Sequence, residues 1–229
     1  MLPYPELSKK LRHSGNKVKA TSKKSNQDLW IAYELVGKLL ENLMGLGIET
    51  SGKTASSISA RISLSANMVQ AFYVVEQLIS EGAYWSAAAV LRQHMETLAR
   101  IVGYRTGISG KAKKPENAVV LPFGLNRNYG RLSQLCHTSD GEILEDFSEC
   151  AGMEGSATVA PEFREKWARF FFFIHIEHMF HLAVEIYLLQ MGIDPSRNLV
   201  FIENDFEEIA GLLVKSGLWE ERVVKRVVA

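Results

Sequence analysis

Residues 161–191 read PEFREKWARFFFFIHIEHMFHLAVEIYLLQM, and this stretch decides the fold. Pro161 suits the first turn of a helix, and the residues after it, including the aromatic run Phe170–Phe173, are apolar on almost every side. Such a helix either spans a membrane or forms the core of a bundle. Polar groups run through its middle, namely His175, Glu177, His178, His181 and Glu185. Because a bilayer centre penalises each ionised carboxylate by roughly 3 kcal/mol, we predict a buried core helix with aromatic packing and no membrane span.

Apolar residues recur at helical spacing in several other segments. A capping box of Ser25 and Asp28 is expected to begin the first helix, and the glycines at 45 and 47 to end it. The pattern predicts further helices over about 54–81, 83–104, 126–136 and 204–215, with Gly82 as a left-handed C-cap between two of them. Small polar residues at 151–160 predict a loop. Four or more long helices with short connections indicate an all-α fold, an antiparallel helical bundle.

Charge is distributed unevenly along a chain whose 26 basic and 26 acidic residues balance. Residues 1–27 hold seven basic side chains and one acidic, a net charge of +6, so the rest carries −6. We expect three parts: a flexible basic leader at 1–27, a bundle domain at 28–216 and a C-terminal tail at 217–229. The leader is interpreted either as a solvated segment or as an arm that touches nucleic acid or an acidic partner.

Composition excludes several classes of protein. A net charge of zero excludes a uniformly basic nucleic-acid binder, although it permits a local basic patch. Two cysteines, Cys136 and Cys150, exclude a disulfide scaffold and a cysteine-rich zinc module. The first 27 residues contain no apolar run of the secretory type, so the cytoplasm is the expected compartment.

Residues 47–54, GIETSGKT, match the phosphate-loop pattern G-x-x-x-x-G-K-[ST]. That pattern holds a phosphate only when it follows a buried parallel strand, and the preceding residues Leu39–Met44 are typical of a helix. We therefore interpret the match as a coincidence in a loop, with a weak anion site as the alternative.

Two arginines are candidates for phosphate chemistry. Arg92 and Glu96 lie one helical turn apart, so we expect them to be partly buried and paired, with Glu76 of the preceding helix as a further partner. Arg92 then either fixes helix register or is poised for a phosphate.

The second arginine lies in the segment Tyr129–His137, YGRLSQLCH, where Arg131 is followed after five residues by His137. A histidine can move the proton of a 2′-hydroxyl, and an arginine can stabilise a phosphorane, so this pair suits RNA. Alternatively, His137 caps the carbonyls of its own helix. Nearby cations are candidate nucleic-acid contacts: Lys111, Lys113, Lys114 and Arg127.

The histidines of the long helix form a separate candidate. His178 and His181 fall with Glu177 and Glu185 within about a 100° arc, a set that could bind zinc or iron. The Glu-x-x-His signature of di-iron bundles is absent, and a buried polar network is the alternative interpretation. We expect no cofactor and no resident metal.

Two stretches resemble a known group of proteins. The segment Gly82–Glu96, GAYWSAAAVLRQHME, is similar to a segment of uncharacterised bacterial all-helical proteins, some linked to phage defence by abortive infection. Leu132, Ser133 and His137 resemble their Leu-Ser-x-x-x-His segment, and Arg131–His137 is more distantly similar to the Arg-x(4–6)-His motif of HEPN domains. Leu132 stands where HEPN domains usually place a polar residue.

The HEPN resemblance implies a helical bundle, metal-independent RNA cleavage and a symmetric dimer whose two motifs meet at the interface. Arg131 and His137 would be the catalytic pair, supported by Arg92, Glu96 and Ser133. Some members of that superfamily are non-catalytic, which leaves a helical module for dimerisation or docking of a protein partner as the second hypothesis. The third hypothesis is a metal-binding protein that uses the histidines and carboxylates of the long helix. RNA, a second copy of the chain and a protein partner are the expected partners, and a membrane is not.

Overall fold

The computed structural model describes residues 4–45, 55–108, 121–136, 149–150, 153–157, 160–196, 199–215, 217 and 219. Within them lie seven α-helices: α1 (Tyr4–Ser25), α2 (Gln27–Gly45), α3 (Ser56–Ser80), α4 (Tyr84–Thr106), α5 (Tyr129–Cys136), α6 (Glu165–Ile193) and α7 (Val200–Lys215). A 3₁₀ helix, Pro122–Asn128, leads into α5. The prediction of an all-α helical bundle is confirmed.

Helix α6 forms the core of the bundle because α2, α3 and α4 all pack against it. Its side chains at Phe171, Ile174 and Phe180 are completely buried, and each such burial stabilises the fold by about 1.5–3 kcal/mol. Although α6 is long and apolar enough to cross a membrane, 78% of its most apolar stretch is buried inside the protein. That burial is typical of a core helix, as its sequence predicts.

Helix α6 begins four residues later than the predicted start at Pro161. The backbone at Arg164 is extended, and its N–H donates to the Tyr84 hydroxyl at 3.0 Å. This anchor on α4 holds the segment before α6 out of the helical conformation.

The turn between α3 and α4 requires glycine at position 82, as predicted. Gly82 has a φ of +83°, and a Cβ there would lie 2.9 Å from the backbone oxygen of Glu162. The N–H of Ala83 donates to the Leu78 carbonyl at 2.8 Å, which closes a Schellman motif. Helices α3 and α4 therefore form a tight αα-hairpin.

The basic N-terminal segment is a helix, which corrects the prediction of a flexible leader. Helical hydrogen bonds cross the junction from α1 to α2, since the Asn26 N–H donates to Ser22 and its carbonyl accepts from Trp30, both at 3.0 Å. No capping box is needed there, and the Asp28 carboxylate instead accepts two hydrogen bonds from Arg169 at 2.7 and 3.1 Å. Helix α1 packs through Val18 and Ser22 against the bundle.

Two smaller predictions are also corrected. Residues 153–157 lie in the expected loop but form strand β2 (Met153–Ala157), which pairs antiparallel with β1 (Glu149–Cys150). The bundle extends beyond residue 216, since Trp219 is buried and its Nε1 donates to Glu177 Oε1 at 3.2 Å.

The phosphate-loop match at 47–54 lies outside the described residues. The segment before it is helix α2, as predicted, and the only sheet in the described ranges is the two-stranded antiparallel pair. The described architecture therefore lacks the parallel strand that a phosphate loop follows.

Candidate functional site

Helix α5 is short, and contacts with α4 fix its C-terminal end. Leu132 and Leu135 are buried in the core, and Trp85 Nε1 donates to the Leu135 carbonyl at 3.1 Å. That carbonyl belongs to the last turn, where a helix has no backbone donor of its own. The C-terminal end of α5, the helix that precedes His137 in the sequence, is therefore anchored to α4.

Arg92 and Glu96 of α4 pair beside α5, as their spacing predicts. Arg92 Nε donates to Glu96 Oε1 at 3.2 Å, and the Tyr129 hydroxyl donates to the same oxygen at 3.3 Å. The two side chains are 23% and 29% exposed, and the Arg92 guanidinium lies 5.8 Å from the centre of the Tyr129 ring. Glu76, the further partner expected from α3, binds Lys19 of α1 instead, at 3.3 Å. That partner was missed because the leader was expected to be flexible.

The electrostatics of this cluster keep Arg92 charged. Burial alone would lower its pKa, but contacts with Tyr129, Glu96 and Cys136 together raise it. Burial raises the pKa of the Cys136 thiol, while Arg92 acts in the opposite direction. A guanidinium is thus held against the last residue of α5, next in sequence to His137.

Arg131 is exposed on α5 and lies over two aromatic rings of α6. Its guanidinium carbon is 4.9 Å from the centre of the Trp167 ring and 4.6 Å from that of Phe170. The two rings are nearly perpendicular, at 81°, so together they restrict where the Arg131 guanidinium can lie. Phe170 therefore supports Arg131 as well as packing beside the core, which adds to the role predicted from its sequence.

Arg131 and Arg92 contact different sides of α5. At 100° per residue, Arg131 and Cys136 are about 140° apart around the helix axis, and Arg92 is on the Cys136 side. Leu132, the residue after Arg131, is fully buried, and Ser133 is half-buried. Burial explains why position 132 is apolar here, where HEPN domains usually have a polar residue.

The other predicted contacts with nucleic acid are described only in part. Arg127 is exposed at the end of the 3₁₀ helix, and its charge acts on buried Glu177. Lys111, Lys113, Lys114 and His137 lie outside the described residues.

The histidine row, which we define as His94, His175, His178 and His181, is buried inside the bundle. The His94 and His175 rings lie 6.4 Å apart, and His175 also packs against Tyr33 and Phe72. Burial lowers the pKa of His94 to about 4 and those of His175 and His181 to about 3, and it lowers that of His178 well below its usual value. All four imidazoles are therefore neutral at pH 7.

The carboxylates predicted to join this row are engaged elsewhere. Glu185 accepts from Arg105 Nε at 2.9 and 3.1 Å and lies 3.6 Å from Arg61. Glu177 accepts from Trp219, and burial raises its pKa to about 7. In the described ranges no three histidine, cysteine or acidic side chains are arranged to hold a metal ion. The structure thus does not bring Glu177, His178, His181 and Glu185 together as ligands.

Several contributors to these sites carry no local sequence signal. Trp167 lies 36 residues from Arg131 in the chain, and Arg61 and Arg105 reach Glu185 from two other helices. Tyr129 could have been found, because it lies two residues before Arg131 in the segment already singled out.

Compared with known proteins, the chain matches no family model, no curated protein and no solved structure.

Proposed function

We propose that this protein is a HEPN-like, metal-independent endoribonuclease with a role in bacterial phage defence or as a toxin. One observation carries the proposal: the exposed guanidinium of Arg131 lies 4.9 and 4.6 Å from the ring centres of Trp167 and Phe170, on a helix whose far end is anchored beside Arg92. Fixed guanidinium groups at a surface suit a phosphate that gains negative charge in the transition state.

In this proposal His137 is the acid–base group and Arg131 stabilises the phosphorane. The 2′-hydroxyl of one ribose attacks the adjacent phosphorus while an imidazole removes its proton. The bond from phosphorus to the 5′-oxygen breaks, and that oxygen receives a proton from a second imidazole. The products are a 2′,3′-cyclic phosphate and a 5′-hydroxyl, so no metal and no external nucleophile is needed. The second imidazole is His137 of a second copy, which makes a homodimer part of the proposal.

Surrounding residues have supporting roles. Arg92 is positioned by Glu96 and Tyr129 and adds positive charge beside the end of α5. Ser133 supports the same helix, and Arg127, Lys111, Lys113 and Lys114 contact neighbouring phosphates. The cytoplasm is the proposed compartment, and a protein partner would regulate the activity.

Incubation of the purified protein with total RNA, with and without a chelator, tests the proposal. We expect cleavage that resists the chelator and is lost in His137→Ala and Arg131→Ala. The exposed Arg100→Ala is the matched control and should cleave like the wild type. Chelator-sensitive cleavage, or full activity in His137→Ala, would contradict the proposal.

A non-catalytic assembly module is the second candidate, favoured by exposed apolar side chains on α3. Tyr73 is 60% and Val74 49% exposed on consecutive positions. If this face pairs two copies, Tyr73→Ser with Val74→Ser should shift a sedimenting dimer to a monomer. A dimer without RNA cleavage at any protein concentration would favour the module over the enzyme.

A further inference from the structure

Helix α1 carries a concentrated positive charge on its outward side. Its exposed cations are Lys9, Lys10, Arg12, Lys17, Lys23 and Lys24. Residues 1–27 have a net charge of +6 in a chain that is neutral overall. The charge is therefore concentrated on one element.

Packing against the bundle fixes the orientation of this charge. Gly15, Val18, Ser22 and Asn26 of this segment are buried, and a Cβ at Gly15 would meet Glu81 at 3.4 Å. Lys19 turns inward and binds buried Glu76 at 3.3 Å. Lys9, Lys10, Lys17 and Lys24 are held on the opposite side by a helix that is docked rather than free.

Lys10, Lys17 and Lys24, which we call the lysine row, recur every seven residues. Seven residues make almost two helical turns, so the three side chains leave the helix in nearly one line, about 10.5 Å apart. Lys9 is bonded to Glu6 at 3.3 Å, but no carboxylate among the described residues pairs with any member of the row. The row thus presents three regularly spaced positive charges to solvent.

We propose that the lysine row binds the phosphate backbone of single-stranded RNA. This inference rests on the proposed function, since the RNA bound here would be the substrate. A row of exposed cations suits a polyanion such as RNA, whose backbone carries one negative charge per nucleotide. An anionic membrane fits less well, because the apolar side of α1 is occupied by the bundle, and Leu7, at 37% exposure, is its most exposed large apolar side chain in the described part.

Fluorescence anisotropy with labelled single-stranded RNA, in chelator and over a range of salt concentrations, tests the row. The variant combines Lys10→Gln, Lys17→Gln and Lys24→Gln in the full chain. Each phosphate contact in a single strand contributes about 0.7 to the slope of log affinity against log salt, so the slope should fall by roughly 2. At low salt we expect affinity to drop on the order of tenfold. The matched control combines Lys38→Gln, Arg100→Gln and Lys215→Gln, three exposed cations outside α1, with the same loss of charge.

The outcomes separate this inference from the proposed function. RNA that binds through the row but is never cut supports the inference while the ribonuclease proposal fails. Equal affinity and salt slope in the row variant and the control variant would overturn the inference, even if RNA is cleaved. Binding of both proteins to vesicles of phosphatidylserine and phosphatidylcholine is measured as well. If the row variant loses binding to these vesicles and keeps its affinity for RNA, the inference is also overturned. Circular dichroism verifies that both variants keep the wild-type helix content.

Discussion

The histidine row inside the bundle and the arginines around α5 have opposite surroundings. His175 and His178 are 0% exposed and neutral, whereas Arg131 is exposed and Arg92 is partly exposed with a raised pKa. Both sets carry residue types that enzymes use. The two sets differ in solvent access. The buried histidine row can affect only the stability of the fold, whereas the arginines around α5 are accessible to a substrate.

Acid should have the largest effect, because it acts on the whole histidine row. An unfolded histidine has a pKa near 6.5, and the buried ones titrate at about 3 to 4. Below pH 6.5 the unfolded chain binds more protons, so stability falls as pH falls, by about 1.4 kcal/mol per pH unit for each buried imidazole. We expect cooperative unfolding between pH 6 and pH 4, measured by circular dichroism.

Removing one member of the row sharpens that test. His94→Leu should reduce the number of protons taken up on acid unfolding by one, as obtained from denaturant titrations at several pH values. Gln93→Leu, at the exposed neighbouring position, removes no titratable group and serves as the control. A stability that is flat from pH 7 to pH 4 would show that the row is not buried and neutral.

The next effect is expected at Glu185, the buried carboxylate that pairs with Arg61 and Arg105. Glu185→Gln leaves the buried guanidinium of Arg61 without its charged partner, and breaking a buried ion pair destabilises a protein by about 3–5 kcal/mol. Chemical denaturation measures the loss. Asp28→Asn removes a similar pair with Arg169 that is more than a third exposed, and it should cost under about 1 kcal/mol. Equal losses in the two variants would contradict the role of burial.

Glu177 gives a smaller effect of opposite pH dependence. Its native pKa of about 7 lies above the ordinary 4.5, so between these values the folded state binds more protons and stability falls as pH rises. Glu177→Gln keeps an oxygen that can accept from Trp219 and removes this dependence. We expect little change at pH 5 and a gain on the order of 2–3 kcal/mol at pH 8, by denaturant titration. A variant that is less stable than the wild type at pH 8 would show that folding does not raise the pKa of Glu177.

The smallest effect on stability is expected at Arg92. Arg92→Met keeps the apolar stem and breaks a pair that is about a quarter exposed, so thermal melting should report a loss below about 1 kcal/mol. RNA cleavage should nevertheless fall at least tenfold, because the guanidinium beside α5 is removed. Arg100→Met, at an exposed position two turns along the same helix, serves as control. Full cleavage in Arg92→Met would limit Arg92 to a structural role.

Features that depend on residues close together in the sequence could be predicted from it. The bundle, Gly82 as a left-handed cap and the Arg92–Glu96 pair all follow from helical periodicity or from spacing within one turn. Strand β2 escapes because Met153–Ala157 contains a glycine and no β-branched or aromatic residue, so its composition does not favour a strand.

Partners that meet only through tertiary structure could not be predicted. Helix α1 looks like a solvated leader because its mean composition is polar, yet Val18 and Ser22 dock it on the bundle. Glu185 meets Arg61 and Arg105 across three helices. Trp167 and Phe170 support Arg131 from a helix that starts 34 residues later in the chain. Each of these depends on helix packing, which spacing within one segment does not encode.

Cleavage of one oligonucleotide sequence, made once as RNA and once as DNA, tests the proposed chemistry most directly. Both are incubated with the wild-type protein in excess chelator, and products are resolved on a denaturing gel. Because the 2′-hydroxyl is the proposed nucleophile, we predict that the RNA is cut to fragments ending in a cyclic phosphate and that the DNA stays intact. Cleavage of both strands, or of neither, would contradict the account.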